Sequence, residues 1–155
     1  MANKTILTYG IIFWGNTPHS KVIFRMQKRI VRIMVGIRNR DSCREYFKRL
    51  KILPLQSQYL SSLLLFVAEN VDYFRLNSEI HGFNTKNKSN LHLPPSNLTL
   101  FQRGPYYPGI KAFNNLPTNV KNLLQTKKQF KRALKEYLHF NAFYSLNEFY
   151  NYNRP

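Results

Sequence analysis

Seven carboxylates, four imidazoles and a single thiol are the groups in this chain that acid–base, metal or nucleophilic chemistry would draw on. Two-metal nucleotidyl transfer needs carboxylates gathered to hold cations about 4 Å apart, yet the two aspartates, Asp41 and Asp72, each stand alone. A zinc site needs Cys and His at short spacings. Cys43 has no cysteine partner, and His19, His81, His92 and His139 are scattered. No motif places a base or an oxyanion donor beside Cys43, which reads as a small residue in the first turn of a helix. The six glycines form no phosphate-cradling GxGxxG or GxxxxGK loop. The expectation is a chain with no metal, no cofactor and no catalytic residue of its own.

The abundant chemistry is cationic. Lys21, Arg25, Lys28, Arg29 and Arg32 sit at spacings of 4, 3, 1 and 3. At about 100° per residue all five fall within an arc of roughly 100°. Val22, Ile23, Met26, Ile30, Val31, Ile33 and Met34 fill the other side. The stretch "SKVIFRMQKRIVRIMVG" therefore predicts an amphipathic helix over 20–36, with its apolar side docked on a helical core. Five cations across 11 helical steps span roughly 16 Å. Phosphates recur about every 3.4 Å along a strand, so one such helix follows four or five of them. The other reading is a solvated face, but such faces usually mix Lys with Glu, and this one has no acid.

A second stripe, Lys127, Lys128, Lys131, Arg132 and Lys135, shares an arc of about 140°. It faces away from Phe130, Ala133, Leu134 and Tyr137, with Glu136 nearby. Tyr106 and Tyr107 lie between Arg103 and Lys111; aromatics beside cations on a loop suit stacking on single-stranded bases, or packing of the loop on the core. Tyr9, Phe13 and Trp14 offer the same two readings, core being the commoner one at helical spacing.

The elements that must position these groups belong to a chain of 155 residues, the usual size of one domain. Its formal charge is +17, from 24 Lys and Arg against 7 Asp and Glu. Such an imbalance favours a polyanionic partner. The 43% apolar content and abundant Tyr and Phe argue against a disordered basic tail. Residues 21–51 carry a net +9, residues 52–80 a net −2 and residues 81–155 again +9. One cysteine excludes an internal disulfide and suits a reducing setting, nuclear or cytoplasmic. No secretory signal is legible. The most apolar run, Leu63 to Ala68, is six residues, against about 20 for a membrane span.

"ILTYGIIFWG" predicts a short buried helix, with strand as the alternative for so brief a run. Asn16, Thr17 and Ser20 are cap candidates for the 20–36 helix, Pro18 falls in its first turn, and Gly36 ends it. "DSCREYFKRLKILP" starts at Asp41 or Ser42, with Glu45 three residues past Ser42 in capping-box spacing, and ends near Lys51, before Pro54. "LQSQYLSSLLLFVAENVDYFRL" is apolar on nearly every face and predicts the central buried helix. Residues 77–109 show no lasting period, so a long irregular connector is expected, with short strand pairings around Leu91 and Leu98. Beyond it follow a turn or two of helix at "IKAFNNLP", a short helix capped by Thr118, the second cationic helix, and a closing helix with Ser145 and Glu148 in capping-box spacing.

Along most of the chain, from near Tyr9 to about Phe149, "TYGIIFWG", "IFRMQKRIVRIMVGIRNRDSCREYFKRLKILPLQSQYL", "GIKAFNNLP" and "FKRALKEYL" resemble the carboxyl-terminal end of reverse transcriptases from non-LTR, LINE-like retrotransposons of the jockey or CR1 type. The resemblance implies a thumb-like pair of helices over 1–36, a C-terminal helical region over 37–155, and contact with template and primer, RNA or DNA. The family's Tyr-x-Asp-Asp palm motif is absent. The resemblance therefore implies a non-enzymatic fragment of an RNA-directed DNA polymerase, a piece of a transposable element. Trp14 and its neighbours would once have packed on the palm, and self-association is expected. His81, Asn84, Thr85 and Lys86 resemble a polar cluster of that family.

The expected fold is mainly α: a single basic domain of six to eight helices with a long irregular loop and at most short strands. The expected function is non-catalytic binding of nucleic-acid backbone, without a membrane. The rival is a helical interaction module that packs on the rest of its parent protein or on an acidic partner.

Overall fold

The near-neutral middle segment forms the most deeply buried helix, as its all-round apolar character requires. In the computed structural model, which describes residues 10–80, 89–95 and 104–152, that helix is α4 (Leu55–Glu69). Before it come α1 (Ile11–Trp14), α2 (Ser20–Val35) and α3 (Arg44–Arg49). After it come a 3-10 turn (Val71–Tyr73), α5 (Asn77–Ile80), α6 (Tyr106–Asn114), α7 (Thr118–Lys121), α8 (Lys127–Asn141) and α9 (Leu146–Tyr152). The chain is mainly α. The pairing expected around Leu91 is a single antiparallel bridge to Leu76; the one around Leu98 lies outside the described residues. The described residues divide into two compact units, 10–62 with 135–152, and 63–134.

In the first unit, α2 is anchored by few residues. Ser20, Phe24 and Val31 are its buried side chains. The Phe24 ring meets Phe47 of α3 at 6.3 Å and Tyr144 edge-on at 4.9 Å. Such aromatic pairs contribute about 0.5–1.5 kcal/mol each beyond their buried area. The Gln27 amide makes a two-way bridge to the start of α4. It accepts from the Leu55 N–H at 2.9 Å and donates to the Leu53 carbonyl at 3.0 Å, which satisfies one of the four donors a helix start leaves open. Ser57 donates to the Phe143 carbonyl at 3.2 Å. Arg44 and Glu148 form an ion pair, and the Glu148 N–H donates to Ser145 Oγ at 3.1 Å. The predicted cap of the last helix therefore forms, and the carboxylate also accepts from the Tyr144 N–H at 2.9 Å.

Other capping expectations fail. Neither Asn16, Thr17 nor Ser20 caps α2; its N-cap is His19, with no side-chain bond. The Thr17 and Ser20 hydroxyls instead donate backwards, to the carbonyls of Trp14 and Thr17, because a tight turn runs directly into the helix. Ser42 and Glu45 form no capping box. The N-cap of α3 is Cys43; Glu45 pairs with Lys48 at 3.1 Å, and the Asp41 carboxylate accepts from the Arg38 N–H at 3.1 Å. Gly36 does end α2, at φ 69°. The Ile37 N–H returns to the Arg32 carbonyl and that of Gly36 to Ile33, the Schellman pattern that only a left-handed residue permits cheaply.

The second unit packs α6 on the second half of α4. Gly109 lies where a Cβ would meet Val67 Cγ2 at 2.9 Å, so glycine there lets the two helices approach. α6 starts at Tyr106, inside the stretch expected to be irregular, and α5 occupies another part of it. Pro108 in the first turn costs no hydrogen bond, because its missing N–H would have been an orphan. The Asn114 amide imitates a strand partner, bonding both the N–H and the carbonyl of Leu91 at 2.8 Å. Lys121 donates to Asn90 Oδ1 and to the Asn114 carbonyl, and its burial pulls the ammonium below its ordinary pKa. Thr118 is the first residue of α7 rather than its cap, which is Pro117.

Candidate nucleic-acid interface

The two faces predicted for α2 resolve into three. One, near Phe24 and Val31, is buried. The second is cationic. The third carries Val22, Met26, Ile30, Ile33 and Met34, and each of these is more than half exposed. The expectation that the apolar side docks on the core is therefore corrected. Amphipathicity separates charge from apolar surface, but the unit supplies neighbours for only a narrow strip of that surface.

Within the cationic face, Lys21, Arg25 and Arg29 are exposed and Lys28 and Arg32 half-buried. Lys28 Nζ stands 4.8 Å above the Phe24 ring and 5.8 Å from that of Tyr144. Arg32 Nε donates to the Asp41 carbonyl at 3.2 Å. Arg44 pairs with Glu148 and Lys48 with Glu45, and among the described residues none of the five stripe cations is paired with a carboxylate. Lys21, Arg25 and Arg29 recur every fourth residue, a rise of about 6 Å. That approximates two phosphate steps of about 3.4 Å.

The turn after Gly36 brings residues that sequence reasoning did not select. Arg25, Met26, Arg29, Arg32 and Asn39 line one shallow, open depression. Three guanidiniums and an amide are all donors suited to an oxyanion, and Met26 adds an apolar wall. Arg38 and Arg40, in the same turn, are exposed as well. The signal that could have found Asn39 was Gly36 itself, since a left-handed helix end folds the following residues back over the last turn.

Tyr144 and Arg44 support this face from beneath. The Arg44 guanidinium lies 4.4 Å from the Tyr144 ring centre. Burial, aided by the contact with Cys43 Sγ at 3.5 Å, pushes the Tyr144 phenol well above its ordinary pKa. The hydroxyl therefore stays neutral, and Cys43 is a buried packing residue.

The second stripe lies along α8, where Lys127, Lys128, Lys131, Arg132 and Lys135 are exposed, and so is Glu136. Of the stacking candidates, Tyr106 has one ring face covered by Phe74, stacked at 4.8 Å and 11°, and its hydroxyl donates to the Tyr73 carbonyl. Tyr107 and Trp14 are half-buried. Phe13 is 73% exposed. Tyr9 and the cluster His81, Asn84, Thr85 and Lys86 lie outside the described residues. Among the described residues no group of three or more His, Cys, Asp or Glu side chains could hold a metal ion, and no helix is long and apolar enough to cross a membrane. No protein-family model matches the chain, and neither a curated protein nor a solved structure matches it.

Proposed function

We propose that the protein binds the sugar-phosphate backbone of nucleic acid, without catalysing a reaction, through the cationic face of α2. The observation that carries this reading is the depression lined by Arg25, Arg29, Arg32 and Asn39, on a face whose cations have no acidic partner among the described residues. Arginine forks match phosphate oxygens bidentately, and the fourfold spacing lets one helix follow a strand. The stripe on α8 adds a second, weaker attraction because Glu136 offsets part of its charge. The resemblance to the end of a non-LTR reverse transcriptase supports the same reading, with template and primer as the polyanion. In that reading the chain is a non-enzymatic, intracellular fragment of such an enzyme.

The test is binding of a labelled single-stranded oligonucleotide by fluorescence anisotropy across a salt series. Three or four phosphate contacts, at about −0.7 each, give a slope of log K against log salt of roughly −2 to −3. Absence of binding at low salt, or affinity independent of salt, overturns the reading.

A further inference from the structure

We infer that the exposed apolar stripe of α2 is a docking surface for an amphipathic helix of another protein, acidic along one edge. This goes beyond nucleic-acid binding: it rests on the apolar stripe, and shares only Met26 and the bordering Arg25 and Arg29 with the depression. Val22, Met26, Ile30 and Met34 lie at successive intervals of four residues, with Ile33 beside them, and all are more than half exposed. Side chains four apart form the ridge that one helix inserts into the groove of another. The stripe covers an arc of about 120°, broad enough to face one helix along the length of α2. Five large apolar side chains left together on a chain of net charge +17 call for a partner.

Charge decides which partner. Arg25 and Arg29 border the stripe along one edge, and half-buried Ile23 and Gln27 border it along the other. A second copy of this chain would bring its own arginines and its own +17 to the same seam, and like charges oppose that pairing. A helix on a lipid surface buries its apolar face in the headgroup region, whereas part of the apolar side of α2, at Phe24 and Val31, is already buried within the chain. An amphipathic helix with carboxylates on a single edge meets both features: its apolar residues cover the stripe and its acids face Arg25 and Arg29.

The probe is a synthetic peptide of about 16 residues, the length that spans α2, with Leu on one face and Glu elsewhere. It is compared with a scrambled peptide of identical composition and with a Leu/Lys counterpart. Isothermal titration against the full chain should show saturable one-to-one binding of the Leu/Glu peptide alone. Ile30→Gln with Ile33→Gln should weaken it about tenfold or more, with helicity by circular dichroism unchanged. That variant should keep the affinity of the parent for the oligonucleotide, so the two readings fail separately. Equal binding of the scrambled or Leu/Lys peptide, or no peptide binding, overturns the inference. So does a salt-stable dimer of the chain that the double variant dissolves, or stripe-dependent binding to phosphatidylglycerol vesicles in place of the peptide.

Discussion

α2 and α4 are nearly equal in length and both rich in apolar residues, yet they treat those residues in opposite ways. α4 buries Leu55, Tyr59, Leu60, Leu63, Leu64, Val67 and Ala68. α2 buries Phe24 and Val31 and leaves Val22, Met26, Ile30, Ile33 and Met34 to solvent. The two helices differ in charge as well. Residues 52–80 are nearly neutral, so any side of α4 can be covered without desolvating a cation. α2 carries five cations over one side, and burying a charge without a partner is expensive. The strip that packs, around Phe24 and Val31, adjoins half-buried Lys28, whose ammonium lies over the Phe24 ring. One helix is thus an interior element and the other a presentation surface.

The strongest way to break this contrast is to delete apolar side chains from each helix. Leu64→Ala, at a fully buried position, should cost about 2–5 kcal/mol in urea unfolding. Ile33→Ala, at a position 71% exposed, should stay within about 0.5 kcal/mol. Comparable losses would mean that the α2 stripe already has a partner within the chain.

The junction before α2 gives a smaller effect. A Cβ at Gly15 would meet Tyr59 Cδ2 at 2.5 Å and the Ile11 carbonyl oxygen at 2.7 Å. Gly15→Ala should therefore destabilise by about 1–3 kcal/mol through overpacking, read as a lowered urea midpoint. An unchanged midpoint would show that α1 is loosely attached and that the region around α2 tolerates rearrangement.

Smaller still is the acid dependence of the Arg44–Glu148 pair. Burial pushes the Glu148 carboxyl up, but the Arg44 guanidinium and the backbone N–H groups of Tyr144 and Ser145 outweigh it and hold the pKa below its ordinary value. A depressed carboxylate stabilises the fold above its unfolded pKa of about 4.3. That stabilisation is lost as pH falls through the lower folded value. Because both side chains are about a third exposed, the effect is on the order of 1 kcal/mol or less. The stability difference between the parent and Glu148→Gln should shrink as the pH falls from about 6 to about 3. A constant difference would mean that Glu148 acts through packing alone.

The contrast was half legible in the sequence. The burial of α4 followed from apolar residues on every face, and Gly36 marked the end of α2. The cationic stripe was legible because spacing alone places Lys21, Arg25, Lys28, Arg29 and Arg32 on one arc. That Ile30 and Ile33 would remain exposed was not legible, since an apolar face shows what needs covering but not whether the chain supplies the cover. The start of α6 was not legible, because residues 77–109 hold no lasting period; Pro108 sits in its first turn, and at Gly109 a Cβ would meet Val67 at 2.9 Å. The Ser42 cap failed because Asp41 was engaged with Arg38 and the chain entered α3 one residue later, at Cys43.

The most direct test of the account is the salt dependence of oligonucleotide binding in two matched variants. Arg25→Gln, Arg29→Gln and Arg32→Gln together preserve helix propensity and leave the apolar stripe untouched. This variant should fold, bind more weakly, and lose about two units of slope in log K against log salt. Lys127→Gln, Lys128→Gln and Lys131→Gln together should change the slope less. Equal slope and affinity in the α2 variant and the parent would contradict the account.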